Sequence, residues 1–270
     1  MTEGTVMPTL RERFGAEALK RPARPLIGDD WTFAPARHPA LAGFSIVHQE
    51  VSLRETPLAV LRNIHLAHTT DPAAAVQLDI ALCLNDARDA IDLLFQLADS
   101  FERRIPIDSV QNTAAQTLAV GDFGVAWSWT GDGPVEVLAF VRNNVVVMMQ
   151  RHHGEDLLLP AAREIDATLN SLRTVPRYED AADRFFAEVR RTAGPAPKVA
   201  AGSVLTLGRQ TDQNQTYFFL VNGGSVNRDR TEPDTWYFRA GMQRGPREIT
   251  LLRLGPGILP VRERLGVEVE

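Results

Sequence analysis

The chain has very little cysteine: Cys83 is the only one among its 270 residues. A single cysteine excludes an intramolecular disulfide, so cysteine pairing carries no information on the redox compartment. Apolar and polar residues alternate around Cys83, which predicts a strand and a buried structural thiol rather than a nucleophile. Cysteine chemistry is therefore a poor basis for a function.

Lysine is almost absent, since only Lys20 and Lys198 stand among 29 basic residues and the others are arginine. This bias is typical of a high-GC bacterial genome, because arginine codons are GC-rich and lysine codons are AT-rich. The net charge is −5, which provides no electrostatic footprint for nucleic acid. We therefore expect no nucleic-acid partner.

Long apolar runs are also missing, and none reaches the length of a membrane-spanning helix. The first 25 residues lack the apolar stretch of a signal peptide. We therefore expect no transmembrane segment. A periplasmic or cell-surface location is expected if a leader was removed, and a cytoplasmic one otherwise. Nothing in the composition indicates the oligomeric state.

Five prolines and one short helical segment, Thr9–Leu19, mark residues 1–40. This composition predicts an extended N-terminal arm, and Trp31 and Phe33 are its expected anchors.

Residues 41–191 combine strand and helix periodicities, which predicts an α+β domain with helices packed on an antiparallel sheet. The predicted strands are Phe44–Val51, Val76–Leu84, Val120–Trp129 and Val135–Met149, the last two forming a hairpin. The predicted helices are Thr56–His65, Asp86–Arg104, Leu157–Leu172 and Tyr178–Arg191.

A Pro/Gly-rich segment, residues 192–202, is the strongest linker candidate. Residues 203–270 then contain only short strand-like segments separated by turn residues. Regular short strands of this kind predict a small all-β sandwich domain. The expected strands are Ser203–Leu207, Thr216–Val221, Thr235–Arg239, Glu248–Leu254 and Leu259–Val269.

Two histidines and two acids cluster in the stretch RHHGED, residues 151–156. Adjacent side chains of a strand point to opposite faces, so His152 and His153 are badly placed to share one metal ion. Glu155 and Asp156 precede a predicted helix, where negative charge is favourable. We interpret the stretch as a strand-to-helix connection without a metal.

Other motifs give equally little chemistry. His65 and His68 would share a face of the predicted helix, but they lack the HExxH context of a zinc site. Asp122-Phe123-Gly124 spells the magnesium-binding tripeptide of kinases without any other kinase motif. We therefore predict no catalytic residue, no metal ligand and no cofactor.

Two regions are candidate binding surfaces. Trp127 and Trp129 should share one strand face, which is a sugar or peptide surface if exposed and core if buried. The most polar loop follows the expected strand Thr216–Val221. Its candidate binding residues are Asn222, Ser225, Asn227 and Arg228. A solvated connection is the alternative interpretation of this loop.

The tail pattern YFFLVNGGSVN, DTWYFRAG and GPREITLLRLGPG resembles bacterial immunoglobulin-like or PKD-like β-sandwich modules. Trp236-Tyr237-Phe238, Gly245 and Ile249-Thr250-Leu251 carry this resemblance. The chain departs from the immunoglobulin pattern because it has no cysteine pair.

A second pattern joins Gly121-Asp122, the strand Phe140–Val147 and the helix Ala162–Leu169. It resembles small exported bacterial α+β domains of uncharacterised function. Both resemblances imply binding or architectural roles at the cell surface or in the periplasm.

Two hypotheses about function follow. The first is a non-enzymatic binding or assembly protein with a protein or saccharide partner. The alternative is a hydrolase or metal-dependent enzyme whose site is assembled from histidines and acids of the first domain. A pocket lined by perturbed acids would favour the enzyme, and an exposed aromatic or edge-strand surface would favour binding.

Overall fold

The computed structural model describes residues 8–19, 25–71, 73–102, 115–129, 133–152, 156–182 and 184–270. This part of the chain is a mixed α+β structure with four α-helices and several antiparallel sheets, which confirms the predicted class. None of the described helices is long and apolar enough to cross a membrane. Two compact units are distinguishable: the described residues of Met1–Asp29 with Phe33–Tyr178, and Asp30–Thr32 with Glu179–Glu270.

The first unit is built on an antiparallel seven-stranded sheet with the strand order β2-β3-β4-β8-β7-β6-β5. Its strands are β2 Phe44–Glu55, β3 Leu58–His68, β4 Ala75–Cys83, β5 Gln116–Leu118, β6 Phe123–Trp127, β7 Val137–Arg142 and β8 Val145–Arg151. A separate small sheet pairs β1 Leu26–Ile27 with β9 Thr174–Val175.

The predicted helix Thr56–His65 is wrong, because this segment belongs to β3. Its apolar positions fit a helical stripe and also fit strand alternation. Strand β3 pairs along almost its whole length with β2 and along most of it with β4. These long-range ladders supply backbone hydrogen bonds on both edges and override the local helix signals.

The predicted single strand Val135–Met149 is two strands, β7 and β8, joined at Asn143 and Asn144. Asn143 has a φ of 53°, a conformation that asparagine tolerates better than most residues. The hairpin predicted between Val120–Trp129 and the following strand is present as β6 paired with β7.

Helix α2, Ala87–Glu102, packs on one face of the large sheet, here called the α2 face. Asp86 caps it as predicted, since its Oδ1 accepts a hydrogen bond from the Arg88 N–H at 2.9 Å. The predicted end at Arg104 lies outside the described residues. The core under α2 combines Leu94 and Phe95 with sheet residues such as Ala81, Cys83 and Met148.

Helix α3, Leu158–Ser171, confirms the helix predicted at Leu157–Leu172, and it packs against β7 and β8. Arg142 of β7 pairs with Asp166 of α3, and Arg142 alternates with the β7 residues that contact α2. Helix α3 therefore covers the opposite side of the sheet, here called the α3 face.

The N-terminal segment contains α1, Leu10–Ala18, whose Thr9 and Glu12 form a capping box. Buried Asn144 fixes the later part of the segment, because its Oδ1 accepts from the Ile27 N–H at 2.7 Å. The Tyr178 hydroxyl donates to the Ile27 carbonyl at 2.8 Å. The predicted anchors Trp31 and Phe33 are both buried.

The second unit contains two sheets, of order β10-β16-β15-β12 and β11-β14-β13. Side chains of both sheets contribute to one core cluster. The strands are β10 Lys198–Val199, β11 Val204–Arg209, β12 Thr216–Val221, β13 Gly224–Arg228, β14 Thr235–Ala240, β15 Gly245–Leu254 and β16 Val261–Val269. All five strands predicted for the tail are present, whereas β10 and β13 were not predicted.

The helix predicted at Tyr178–Arg191 is shorter and lies later, as α4 Ala187–Ala193. Just before it, the fully buried Glu263 accepts backbone hydrogen bonds from Arg184 and Phe185 at 2.9 and 3.0 Å. These bonds hold the preceding segment outside the helix. The predicted linker, residues 192–202, contains the end of α4 and strand β10, and it belongs to the second unit.

Candidate functional site

The RHHGED stretch lies between β8, which ends at Arg151, and α3, which begins at Leu158. It is a strand-to-helix connection, as predicted. The residue at the helix N-cap is Leu157, which makes no side-chain cap, so a capping role for Asp156 is not seen. Residues 153–155 lie outside the described part of the chain. Within the described residues, no group of three histidines, cysteines or acids is placed to hold a metal ion.

His65 and His68 lie on strand β3, so their spacing of three residues places them on opposite faces. The His68 ring packs against Phe44, with ring centroids 5.1 Å apart. The His65 ring packs against His48, with ring centroids 5.7 Å apart. The two histidines of the motif therefore have separate environments.

Asp122 of the DFG tripeptide is buried and belongs to an ion-pair network. Arg142 donates to Asp122 at 3.1 Å and to both oxygens of Asp166 at 2.6 and 2.8 Å. The Asn143 N–H donates to Asp122 at 2.7 Å, and the Gly121 N–H donates to Asp166 at 3.0 Å. These residues come from the three segments of the second resemblance, so that pattern ties β6, β7 and α3 together.

Trp127 is 1% exposed and belongs to the core under α2, where its indole N–H donates to Glu102 at 2.9 Å. Trp129 is half-buried and packs near the Phe101 ring. The core interpretation therefore describes this pair, and Trp127 is not available as a binding surface. Cys83 is also buried, and burial raises the pKa of its thiol to about 12.

The polar loop predicted at Asn222–Arg228 forms the edge strand β13, and all four candidate side chains are exposed. Asn222 Oδ1 accepts from the Glu248 N–H at 3.3 Å, and Asn227 donates to the Ser225 hydroxyl at 3.0 Å. Arg228 lies 4.8 Å from the Trp236 ring centroid and donates to Gln210. Arg228 is thus on the inward side of β13, and it is separated from the two outward residues.

Ser225 and Asn227 share the outer face of the three-stranded sheet with residues of β14 and β11. Asn227 pairs with Tyr237, which pairs with Thr206, and Ser225 pairs with Arg239. The Tyr237 ring is half-buried and the polar neighbours are exposed. This arrangement, here called the Tyr237 face, presents one aromatic ring among hydrogen-bonding side chains.

A different polar surface lies on the α2 face of strands β2, β3 and β4. Two cross-strand rows, here called the polar rows, consist of His48–His65–Gln77 and Glu50–Asn63–Asp79. Adjacent strands are about 4.8 Å apart, so neighbours within a row are within hydrogen-bonding reach. The β3 and β4 members of the rows are half-buried, and the β2 members are exposed.

A pocket of about 390 Å³ opens over the second of these rows, Glu50–Asn63–Asp79. This volume is in the range of small-molecule sites, which is about 300–1,000 Å³. Apolar and polar residues both line it: Glu50, Ser52, Leu61, Arg62, Asn63, Asp79, Ile80, Ala81 and Leu97. Because side chains alternate along a strand, those of Arg62 and Ile80 point to the α3 face.

Asp79 lies in the middle strand of the pocket floor and accepts hydrogen bonds on both carboxylate oxygens. Asn63 Nδ2 donates to Oδ1, and Gln77 Nε2 donates to Oδ2 at 3.4 Å. Burial raises the pKa of Asp79 above its ordinary value, while the two amides and the nearby His65 act in the opposite direction. The carboxylate is thus partly desolvated and held in one orientation.

The sequence contained half of the signal for these rows. Gln77 and Asp79 are the polar positions of the alternating strand Val76–Leu84, but a half-exposed strand would show the same pattern. The wrongly predicted helix at Thr56–His65 placed Asn63 and His65 away from any strand. The pairing of β3 with β4 could therefore not be recognised.

No protein-family model, curated protein or solved structure matches this chain. Its function is therefore inferred from the placement of its own residues.

Proposed function

We propose that the chain is a non-enzymatic binding protein that holds a small polar ligand in the pocket over the polar rows. The observation that carries this proposal is the fixed, partly desolvated carboxylate of Asp79 at the floor of that pocket. Convergent polar groups in a concave site with apolar walls are the usual signature of a ligand site.

A pocket lined by an acid of raised pKa is the feature expected of the alternative, a hydrolase or metal-dependent enzyme. Two other features favour binding. Both oxygens of Asp79 already accept amide hydrogen bonds, which hold the carboxyl in one orientation as an acceptor. A hydrolase of the serine or cysteine type needs a nucleophile within hydrogen-bond reach of a base. Among the described residues that line the pocket, Ser52 carries the only hydroxyl, and its side chain makes no hydrogen bond to a base.

The Tyr237 face is a second candidate site, for a saccharide. Aromatic rings beside hydroxyl and amide groups suit sugars, because a ring stacks on the sugar face while polar groups bond its hydroxyls. Support for the predicted sandwich comes from the two sheets whose side chains share one core, since this is the layer arrangement of a β-sandwich. The immunoglobulin-like topology and the independent folding of the two predicted domains remain predictions.

A ligand titration of the ¹⁵N-labelled full chain tests both candidates. The panel contains neutral sugars, amino acids, short amines and short carboxylates, and amide chemical shifts report the site. We expect saturable shifts at Asn63 and Asp79 with at least one small polar compound. The Kd obtained from these shifts should rise at least tenfold in Asp79→Asn and stay unchanged in the control Ser225→Ala/Asn227→Ala.

The reverse pattern separates the two candidates. Saccharide-induced shifts at Ser225 and Tyr237 that vanish in Ser225→Ala/Asn227→Ala would assign saccharide binding to the Tyr237 face. If no compound of any class moves the amides of β3 and β4, the pocket is not a ligand site. Turnover of a chromogenic glycoside or ester that Asp79→Asn abolishes would favour the enzyme.

A further inference from the structure

We propose that the pocket over the polar rows selects an organic cation, an ammonium or guanidinium group on a short apolar tail. This inference rests on the proposed function, because it names the ligand class of the same pocket. It is carried by the charges that face the pocket, by their spacing and by the apolar wall opposite them.

Two carboxylates, Glu50 and Asp79, lie in the same cross-strand row on either side of Asn63. Within the described residues, no arginine or lysine forms an ion pair with either of them. The partners of Asp79 are neutral amides, with His65 close by. Among the described residues, the row thus carries negative charge without a cation paired to it.

The nearest candidate cations on the same strands are engaged elsewhere. Arg54, four residues after Glu50 on β2, donates to the Thr56 carbonyl at 3.0 Å and to Gln96 of α2. Arg62 alternates with the pocket-facing residues of β3, and its side chain is buried on the α3 face. A ligand cation therefore meets little competition from the protein's own arginines.

The spacing suits one small cation. Glu50 and Asp79 are two strands apart, so their Cα atoms are separated by about 10 Å and their side chains reach toward the space between. A guanidinium carries five N–H donors and no acceptor, and an ammonium carries three. Such a group can donate to a carboxylate on each side, and charge-assisted bonds of this kind are the stronger class. An anion placed there would face both carboxylates.

The walls of the pocket explain the apolar tail. Leu61 and Ala81 belong to the next row on the same face, two residues along each strand from the Glu50 row, where Leu61 pairs with both Ser52 and Ala81. Leu97 of α2 completes this wall. A short alkyl chain attached to the cation would lie against these side chains and remove apolar surface from water.

The test uses four probes that share one butyl tail: butylguanidinium, butylammonium, 1-butanol and butyrate. Each is titrated into the ¹⁵N-labelled full chain at constant ionic strength, and the shifts of Asn63, Asp79 and Leu61 are followed. We expect saturable binding of both cations, with a Kd at least tenfold below those of butanol and butyrate. Asp79→Asn should raise the Kd of the cations at least tenfold and leave that of butanol unchanged.

Glu55→Gln is the matched control, because it removes one exposed carboxylate from the same β2 strand outside the pocket. It should leave the cation affinities within about twofold, which separates a local contact from a change in net charge. Butanol binding as tightly as the cations, or butyrate binding more tightly, would overturn the cation inference and leave the pocket as a ligand site. If neither these four probes nor the wider panel shifts these amide signals, both the cation inference and the proposed ligand site are wrong.

Discussion

Strands β3 and β4 have two faces of very different composition. The α3 face is formed by every second residue of these strands. All of these residues are buried and all but Arg62 are apolar: Val60, Arg62, Ile64, Leu66, Val76, Leu78, Ile80 and Leu82. On the α2 face, the same strands carry Asn63, His65, Gln77 and Asp79, all half-buried. Helix α2 covers the apolar part of that face, which includes Ala59, Ala81 and Cys83.

This difference separates the residues that hold the fold from those that are free to serve a function. Antiparallel strands commonly alternate between a face packed on the core and a polar face. Here the four polar residues are half-buried rather than fully solvated, and they lie beside a part of the same face that belongs to the core under α2. The α3 face thus supplies buried apolar area, and under our proposal the polar rows serve binding.

Removing a large side chain from the α3 face should have the largest effect. Ile80 is 1% exposed, so we expect Ile80→Ala to lower the free energy of unfolding by about 4 kcal/mol through lost burial and a new cavity. The neighbouring Asp79→Ala should change it by less than about 1 kcal/mol. Urea unfolding followed by tryptophan fluorescence measures both, and equal losses would remove the contrast between the faces.

Helix α2 spans the same contrast along its own length. Leu94 is fully buried under the helix, and we expect Leu94→Ala to cost about 3 kcal/mol. Leu97 is only partly buried and borders the pocket, so Leu97→Ala should cost about 1 kcal/mol. Thermal and urea unfolding of the two variants would contradict this order if Leu97→Ala proved the more damaging.

A smaller effect is expected from the charge of Asp79. Since burial raises the pKa of this carboxyl, the folded chain binds a proton there more tightly than the unfolded chain. Stability is therefore lost as the pH rises from the ordinary pKa of aspartate to the folded value, and the loss persists at higher pH. Asp79→Asn should remove that loss. The free energy of unfolding of this variant minus that of the wild type should therefore increase as the pH rises from the ordinary pKa of aspartate to the raised pKa of Asp79. Unfolding curves of both proteins from about pH 3 to about pH 8 measure this difference, and a difference that stays flat or falls with rising pH would contradict the prediction.

The structure also shows which features could be predicted from sequence. Strand β4 and helix α2 were predictable because alternation, helical spacing and the Asp86 cap agree in each segment. Strand β3 was not, because Thr56-Pro57 resembles a helix start and only pairing with β2 and β4 decides its conformation. The helix predicted for the segment before α4 was wrong for a similar reason. The buried Glu263, which binds the backbone of that segment, lies about 80 residues away in sequence.

The candidate site combined both situations. Its β4 residues lie in a segment that was predicted correctly, and its β3 residues lie in one that was not. Ser225 and Asn227 were predicted as exposed polar residues and are exposed, but their neighbour Tyr237 was assigned only to a strand. A cross-strand row is a property of register, and register between distant strands is set by packing rather than by local sequence.

The most direct test of the central distinction is the unfolding free energy of Asn63→Val/Asp79→Val. Valine favours strands and buries well on a sheet, so the double variant should be at least as stable as the wild type if the polar rows serve binding rather than folding. We predict an unchanged or higher free energy of unfolding in urea. A loss of more than about 2 kcal/mol would mean that Asn63 and Asp79 support the fold, and it would contradict their assignment to a ligand site.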